Sequence, residues 1–373
     1  MYIRGVNLGN WLVLEKWMNR AMFAGCEAED EYYLPRMLPR EVYEERIRMH
    51  RAEYITERDF ARIKAIGLNA VRIPVPYFIF GDYEPFIGCI EELDKAMGWA
   101  KKYGLKVLID LHTAPDSQNG FDNGGISGIC CFCKEPNEVE FVLTVLERLA
   151  ERYKDHEALY GIEILNEPVL DRNFKKMGIQ DRYIPLDKEK AAISEGNPES
   201  FVRQFYLDAY DRIRKYLPED KAVVFHDAFE LTLWKDFMRD PKYKNVVLDT
   251  HQYFGFHRLE EGTDPMAAYH EISDELIKQI DEMEQYFPVV VGEWCLSNAA
   301  VMGVEDPEEA KKIYNDFQNI EFKTWDHASG YFYWSYKLLL DTVTPGPDGK
   351  ATPAGAASWD MGKSVDEGWL TRV

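Results

Sequence analysis

Eight short apolar runs that each end in polar residues, helical patterns between them, and a length of 373 residues predict an α/β chain folded as a single (β/α)8 (TIM) barrel. The runs are IRGVNLG (3–9), LNAVRIP (68–74), LKVLIDLH (105–112), YGIEILNE (160–167), AVVFHD (222–227), VVLDTHQY (246–253), PVVVGEW (288–294) and GYFYWSY (330–336). Several are apolar throughout instead of alternating, as strands covered on both faces must be.

The segments between them carry helix signals. TERDFARIKAIG opens on Thr56 three residues before Asp59, a capping-box spacing, and closes on Gly67, which suits a left-handed cap. In NEVEFVLTVLERLAERY, the residues Val139, Val142, Leu143, Leu146 and Leu149 form one helical stripe. ELDKAMGWAKKYG and residues 198–216 read the same way, with a strand following closely. A barrel of this kind needs about 250 residues, so the surplus must sit in connections. It falls at 17–55, 113–135 and 169–197, each after a strand and therefore on the C-terminal face, where barrel enzymes carry their sites. With no internal repeat, low-complexity tract or Ser/Pro-rich linker, residues 1–373 read as one catalytic domain.

Composition narrows the partners. Lys+Arg 44 against Asp+Glu 65 leaves a net charge of −21, which repels phosphate backbones and anionic membranes but not a neutral substrate. Nucleic acid and membrane are therefore not expected as partners. No run of about 18 apolar residues could span a bilayer. MYIRGVNLGNW lacks the basic stretch and apolar core of a secretory signal. The cysteines are Cys26, Cys89, Cys130, Cys131, Cys133 and Cys295, three of them crowded into CCFC. That crowding suits reduced thiols better than a disulfide framework, so a cytoplasmic address is expected. CCFC has no second cysteine pair at zinc-site spacing, and neither a metal nor another cofactor is expected.

The polar residues ending the apolar runs are Arg72, His112, Asn166, Glu167, His251, Tyr253, Glu293 and Trp334. Any one of them is explained by ordinary structural hydrogen bonding; in a barrel all eight converge on one cavity. Two facing carboxylates are what glycosidic cleavage requires, one to protonate the departing oxygen and one to attack the anomeric carbon or activate water. Glu167 precedes Pro168 and is expected to be held extended. Glu293 is delivered by Val289-Val290-Val291, and Gly292 allows close backbone approach. The permanent charge of Arg72 would keep one carboxylate ionised as nucleophile, while the other holds its proton until it is donated. Asn166 can hydrogen-bond a sugar 2-hydroxyl, and Trp334 offers an aromatic face to the ring.

With Asn166-Glu167-Pro168 and VVVGEW joined in order by VRIP, DLH, HQY and YWSY, the chain resembles glycoside hydrolase family 5 of the clan A barrels. RGVNLGNWLVLEKW (4–17), ITERDFARIKAIGLNAVRIP (55–74), DLHTAPDSQNGFDNGG (110–125) and HDAF (226–229) look like its exo-β-1,3-glucanase branch. The resemblance implies that Glu167 is the acid/base and Glu293 the nucleophile. It also implies sugar contacts for Glu15, His112, Asp122, Asn123, Asn166, Tyr253 and Trp334, and an aromatic clamp of Phe121 and Phe256 at the pocket mouth. The stretch KLLLDTVTPGPDGKATPAGAASW (337–359) and the connection 169–197 depart from the family's pattern, and both are expected to shape the pocket.

The expected activity is a retaining exo-acting β-glycosidase that removes glucose from a short β-glucan, oligosaccharide or glycoside. Three alternatives compete: an endo-acting glucanase or mannanase with an open cleft, a metal-dependent barrel hydrolase using His112, His226 and His251, and a barrel that binds sugar without cutting it. Strand one carries Asn7 where amidohydrolase-type metal barrels have His-x-His, which weighs against the metal reading.

Overall fold

In the computed structural model, which describes residues 1–339 and 354–373, all eight predicted strands form. They are β1 (Ile3–Asn7), β2 (Ala70–Val75), β3 (Lys106–Leu111), β4 (Leu159–Glu163), β5 (Ala222–His226), β6 (Val246–His251), β7 (Val289–Trp294) and β8 (Gly330–Tyr333). Every neighbouring pair is parallel, and β8 returns to β1 to close the barrel. Because the strands are buried on both faces, their apolar runs needed no alternation.

The helix signals hold as well. Thr56 caps the helix Glu57–Ala65 through a capping box with Asp59, and Gly67 takes φ 105. The helix Pro136–Tyr153 buries Val142, Leu143, Leu146 and Leu149 against the barrel wall, while Val139 packs there partly buried. Each fully buried aliphatic side chain of this kind is worth about 1.5–3 kcal/mol. Long helices also follow β6 (Pro265–Met283) and β7 (Pro307–Trp325). The alternation lapses after β5, where the connection to β6 carries only the 3-10 turn Leu231–Trp234.

The three long connections stand on the C-terminal side and are structured. Residues 17–55 contain the helix Arg40–Glu53 and, together with Leu14, form a satellite core around Met22, Phe23, Leu34, Tyr43 and Ile47. The connections 113–135 and 169–197 are packed on each other through Cys130, Val169, Phe174 and Ile179. Polar side chains finish the joint. Asn197 Nδ2 donates to the carbonyls of Gln118 and Val169, and Gln118 Nε2 donates to those of His112 and Asn166. All six cysteines are free. Burial pushes the Cys130, Cys131 and Cys133 thiols above the ordinary range, and Cys130 and Cys131 pack in the clusters that join the two connections.

Candidate active site

The floor of the site is a buried arginine and the acids that surround it. Arg72, wholly inaccessible on β2, donates through Nε and Nη2 to Glu163 of β4 at 2.7 and 3.0 Å. Its Nη1 donates to Asn7 Oδ1 at 3.0 Å and to Glu293 Oε1 at 2.9 Å, and Nη2 donates to Asn166 Oδ1 at 2.9 Å. Asp110 Oδ2 of β3 lies 3.2 Å away. A guanidinium removed from water needs such fork-shaped partners on every side. Arg72→Met is therefore expected to lower unfolding stability by about 3–5 kcal/mol, since it strands several buried carboxylates at once. Urea unfolding of the two proteins measures this, and an unchanged midpoint would refute it.

Above this floor stand the two glutamates. Glu293, on β7, accepts from Arg72 through Oε1 and from the Tyr253 hydroxyl through Oε2 at 2.8 Å. Gly292 is indispensable to the approach, because a Cβ there would lie 2.1 Å from Asp249 Oδ2. Glu167 lies just beyond the end of β4; its Oε2 accepts from Asn123 Nδ2 at 2.9 Å and its Oε1 meets His251 Nδ1 at 2.7 Å. The backbone of Glu167 departs from the sequence expectation. Its φ is 45, in the left-handed region, not the extended one. That torsion is unfavourable for a non-glycine residue, and the two side-chain anchors and Pro168 hold it in place.

His251 joins the two carboxylates. Its Nδ1 is 2.7 Å from Glu167 Oε1 and 3.4 Å from Glu293 Oε2, and its Nε2 is 3.3 Å from Asp249 Oδ2. Two oxygens that reach one nitrogen at those distances can be no more than about 6 Å apart. Burial opposes charge on His251, yet the acidic groups of Glu293, Asp249 and Glu167 overcome it and raise its pKa well above the ordinary histidine value. The proton distribution differs from the one anticipated from sequence. Burial lifts the Glu167 carboxyl, but the hydrogen bond and charge of His251, with Asn123, more than reverse this and leave it below its usual value. Glu293 is raised, by burial first and then by Glu167, against the pull of His251 and Arg72. Sequence reasoning treated Arg72 as the deciding charge. In the structure His251, 2.7 Å from Glu167 Oε1, is the deciding charge, so the proton belongs to the pair.

The cavity over these groups has a volume of about 440 Å³, at the scale of a small-molecule site. Of the residues anticipated from sequence, Glu15, Phe121, Asp122, Asn123, Glu167, Tyr253, Phe256, Glu293 and Trp334 line it. Arg72, His112, Asn166 and His251 lie behind the wall and act through others. The Asn166 amide is engaged at both ends, accepting from Arg72 and lying 3.4 Å from His112 Nε2, so its position locks the Arg72 cage to the wall. His112 is fixed by Asp110 at 2.6 Å and stacks flat beneath Trp334, with ring centroids 5.5 Å apart. Burial and the neighbouring Asp122 raise the Glu15 carboxyl well above its usual value, and Trp17 donates to it at 2.8 Å.

Sequence reasoning missed Trp17, Tyr183, Phe229 and Trp359, all of which line the cavity. Trp359 lies in the divergent stretch 337–359, of which residues 340–353 fall outside the described ones. It meets Trp17, Tyr253 and Phe256 at ring distances of 5.5, 5.0 and 5.6 Å. Facing that group, Phe121 meets Tyr183 at 5.7 Å and Phe229 at 6.1 Å. The expected clamp of Phe121 and Phe256 thus belongs to two larger aromatic walls.

Donor atoms of Glu167, His226 and His251 lie within 4.8 Å of one another, as do those of Glu163, Asp249 and His251. Three of the four imidazole nitrogens in these sets are taken, and the fourth, His226 Nε2, is buried with no hydrogen-bond partner among the described residues. His226 Nδ1 accepts the Ala228 N–H at 3.0 Å, and both nitrogens of His251 face carboxylates.

A closed (β/α)8 barrel with two carboxylates joined by one histidine at its C-terminal mouth has the architecture and the paired acids of the barrel glycoside hydrolases. The family model described as Cellulase (glycosyl hydrolase family 5) matches residues 42–337, and the chain belongs to that family. A relative from Emericella nidulans, named probable glucan 1,3-beta-glucosidase A, is 37% identical over 305 residues. That alignment covers 78% of this chain and spans 66% of the relative's own length. One of the same name from Aspergillus terreus is 31% identical over 409 residues, covering 98% of this chain and 87% of the relative. Among solved structures, a rutinosidase from Aspergillus niger superposes with a TM-score of 0.73 at 21% identity, covering 99% of this chain and 97% of that one, a likeness of fold.

Proposed function

We propose that the chain is a retaining, exo-acting β-glucosidase that releases glucose from short β-glucans or β-glucosides by double displacement. Glu293 attacks the anomeric carbon and forms a glycosyl-enzyme ester as the glycosidic bond breaks. Glu167 delivers the proton to the departing oxygen, then accepts one from the water that breaks the ester. Arg72 and Tyr253 hold the Glu293 carboxylate in line, and Trp334 faces the ring. The observation that carries this reading is the shared contact of both carboxylates with His251 Nδ1. Carboxylate oxygens within about 6 Å of each other support a retaining pair, with carboxyls about 5–5.5 Å apart, over an inverting pair at about 6.5–9.5 Å. The glucan 1,3-beta-glucosidase names of the relatives support glucose as the unit removed. The aromatic lining of a cavity of about 440 Å³ supports exo action, since that space suits a short substrate. Six free thiols support a cytoplasmic address.

Product analysis tests the proposal. Laminaribiose, sophorose, cellobiose, gentiobiose and longer laminari-oligosaccharides are expected to give glucose from the first time point, released as the β-anomer. Mixed oligomers at early times would instead indicate an endo-acting enzyme, and α-glucose as first product would refute double displacement.

A further inference from the structure

The cavity wall changes character with depth. Glu167, Glu293 and Trp334 at its base are almost inaccessible, whereas Phe256 at the mouth is 58% exposed and Met177 41%. Apart from the buried acids and Asn123, the lining is aromatic or aliphatic with one exception, Arg182, the only cation among the described lining residues. Arg182 comes from the divergent connection 169–197 and is exposed. Its guanidinium lies 5.1 Å from the Tyr183 ring and 5.7 Å from the Phe256 ring, so it reaches from one aromatic wall toward the other.

Among the described residues this guanidinium meets no carboxylate or carbonyl. The contrast with Arg172 on the same connection is instructive, because Glu230 and Glu199 clamp that side chain at 2.7 and 2.9 Å. Asp122, partly buried, feels the charge of Arg182 without forming an ion pair with it. An arginine that keeps its fork free at the mouth of a pocket, in a chain of net charge −21, gives an anion a local partner that the overall field denies it. The adjoining rings of Tyr183 and Phe256 offer stacking surface to a planar group.

We infer that Arg182 forms an anion-accepting leaving-group subsite, and that the chain favours β-glucosides whose leaving group joins a flat ring to a carboxylate. This inference rests on the β-glucosidase reading and adds the class of leaving group. The test compares kcat/KM for 4-carboxyphenyl β-D-glucoside and 4-carbamoylphenyl β-D-glucoside in the wild type, Arg182→Gln and Arg182→Lys. The ratio of acid to amide is taken within each protein, so leaving-group chemistry and the folded fraction cancel between variants. Arg182→Gln is expected to lower that ratio about two- to fivefold, the size of an exposed ion pair, while Arg182→Lys retains most of it. Added salt should narrow the wild-type preference. An unchanged ratio in Arg182→Gln would overturn the subsite and leave the glucosidase reading standing. Failure of the wild type to hydrolyse either glucoside would overturn both.

Discussion

Glu293→Ala is expected to lower kcat by at least about four orders of magnitude, because it removes the atom that forms the covalent intermediate and no neighbour can replace it. The residues around Glu293 hold it but do not duplicate it. Arg72 is a permanent cation, Tyr253 presents a hydroxyl that burial keeps protonated, and His251 is turned toward Glu167. The fold should survive, since Arg72 keeps Glu163 and Asp110 as counter-charges after Glu293 is gone. The same truncation opens a small space beside two donors, a setting suited to azide. Azide entering there attacks from the face that Glu293 used, in a single displacement, so a β-glucoside should yield α-glucosyl azide and turnover should partly recover. Rate measurements with and without azide, and NMR of the product, check both halves. A variant as active as the wild type would refute Glu293 as nucleophile, and a β-configured azide would refute the geometry.

The barrel was legible because strands buried on both faces leave continuous apolar runs, and all eight were found within a few residues of their observed ends. The two carboxylates that face the cavity were legible for the same reason, since an acid closing such a run must emerge at the rim. The support beneath it was harder to read. Asp110, Glu163 and Asp249 sit inside apolar runs, and each could have been recognised as a counter-charge once Arg72 was placed in a closed barrel. What concealed them was register, which decides which strand residues point inward and is fixed only by strand pairing. The histidine between the glutamates and the left-handed backbone of Glu167 are tertiary facts without a periodic signature. Trp17, Tyr183 and Trp359 reach the pocket from irregular segments, where a tryptophan or tyrosine reads equally well as packing. Arg182 had no signal at all, because its meaning lies in the absence of a partner.

Glu167→Ala should separate substrates by how much help their leaving groups need. For a disaccharide or an alkyl glucoside, kcat/KM is expected to fall about 10²–10⁴-fold, the range that a positioned general acid supplies. For 2,4-dinitrophenyl β-glucoside, whose leaving group departs without a proton, glycosylation should remain near the wild-type rate. Deglycosylation still needs a base, so the ester on Glu293 should accumulate and appear as a burst. The pH profile sharpens the assignment. His251, raised well above the ordinary histidine range by the surrounding acids, keeps the pair protonated as pH climbs past that range. Acid-assisted activity is therefore present below the raised value and lost as pH rises through it, which places the alkaline limb of the wild-type profile on the pair and not on a free carboxyl. The wild type should lack that limb with the dinitrophenyl substrate, where no proton is required, and Glu167→Ala should lack it with unactivated substrates as well. Equal losses on activated and unactivated substrates would make Glu167 a structural residue, and an unaltered alkaline limb would move the acid elsewhere.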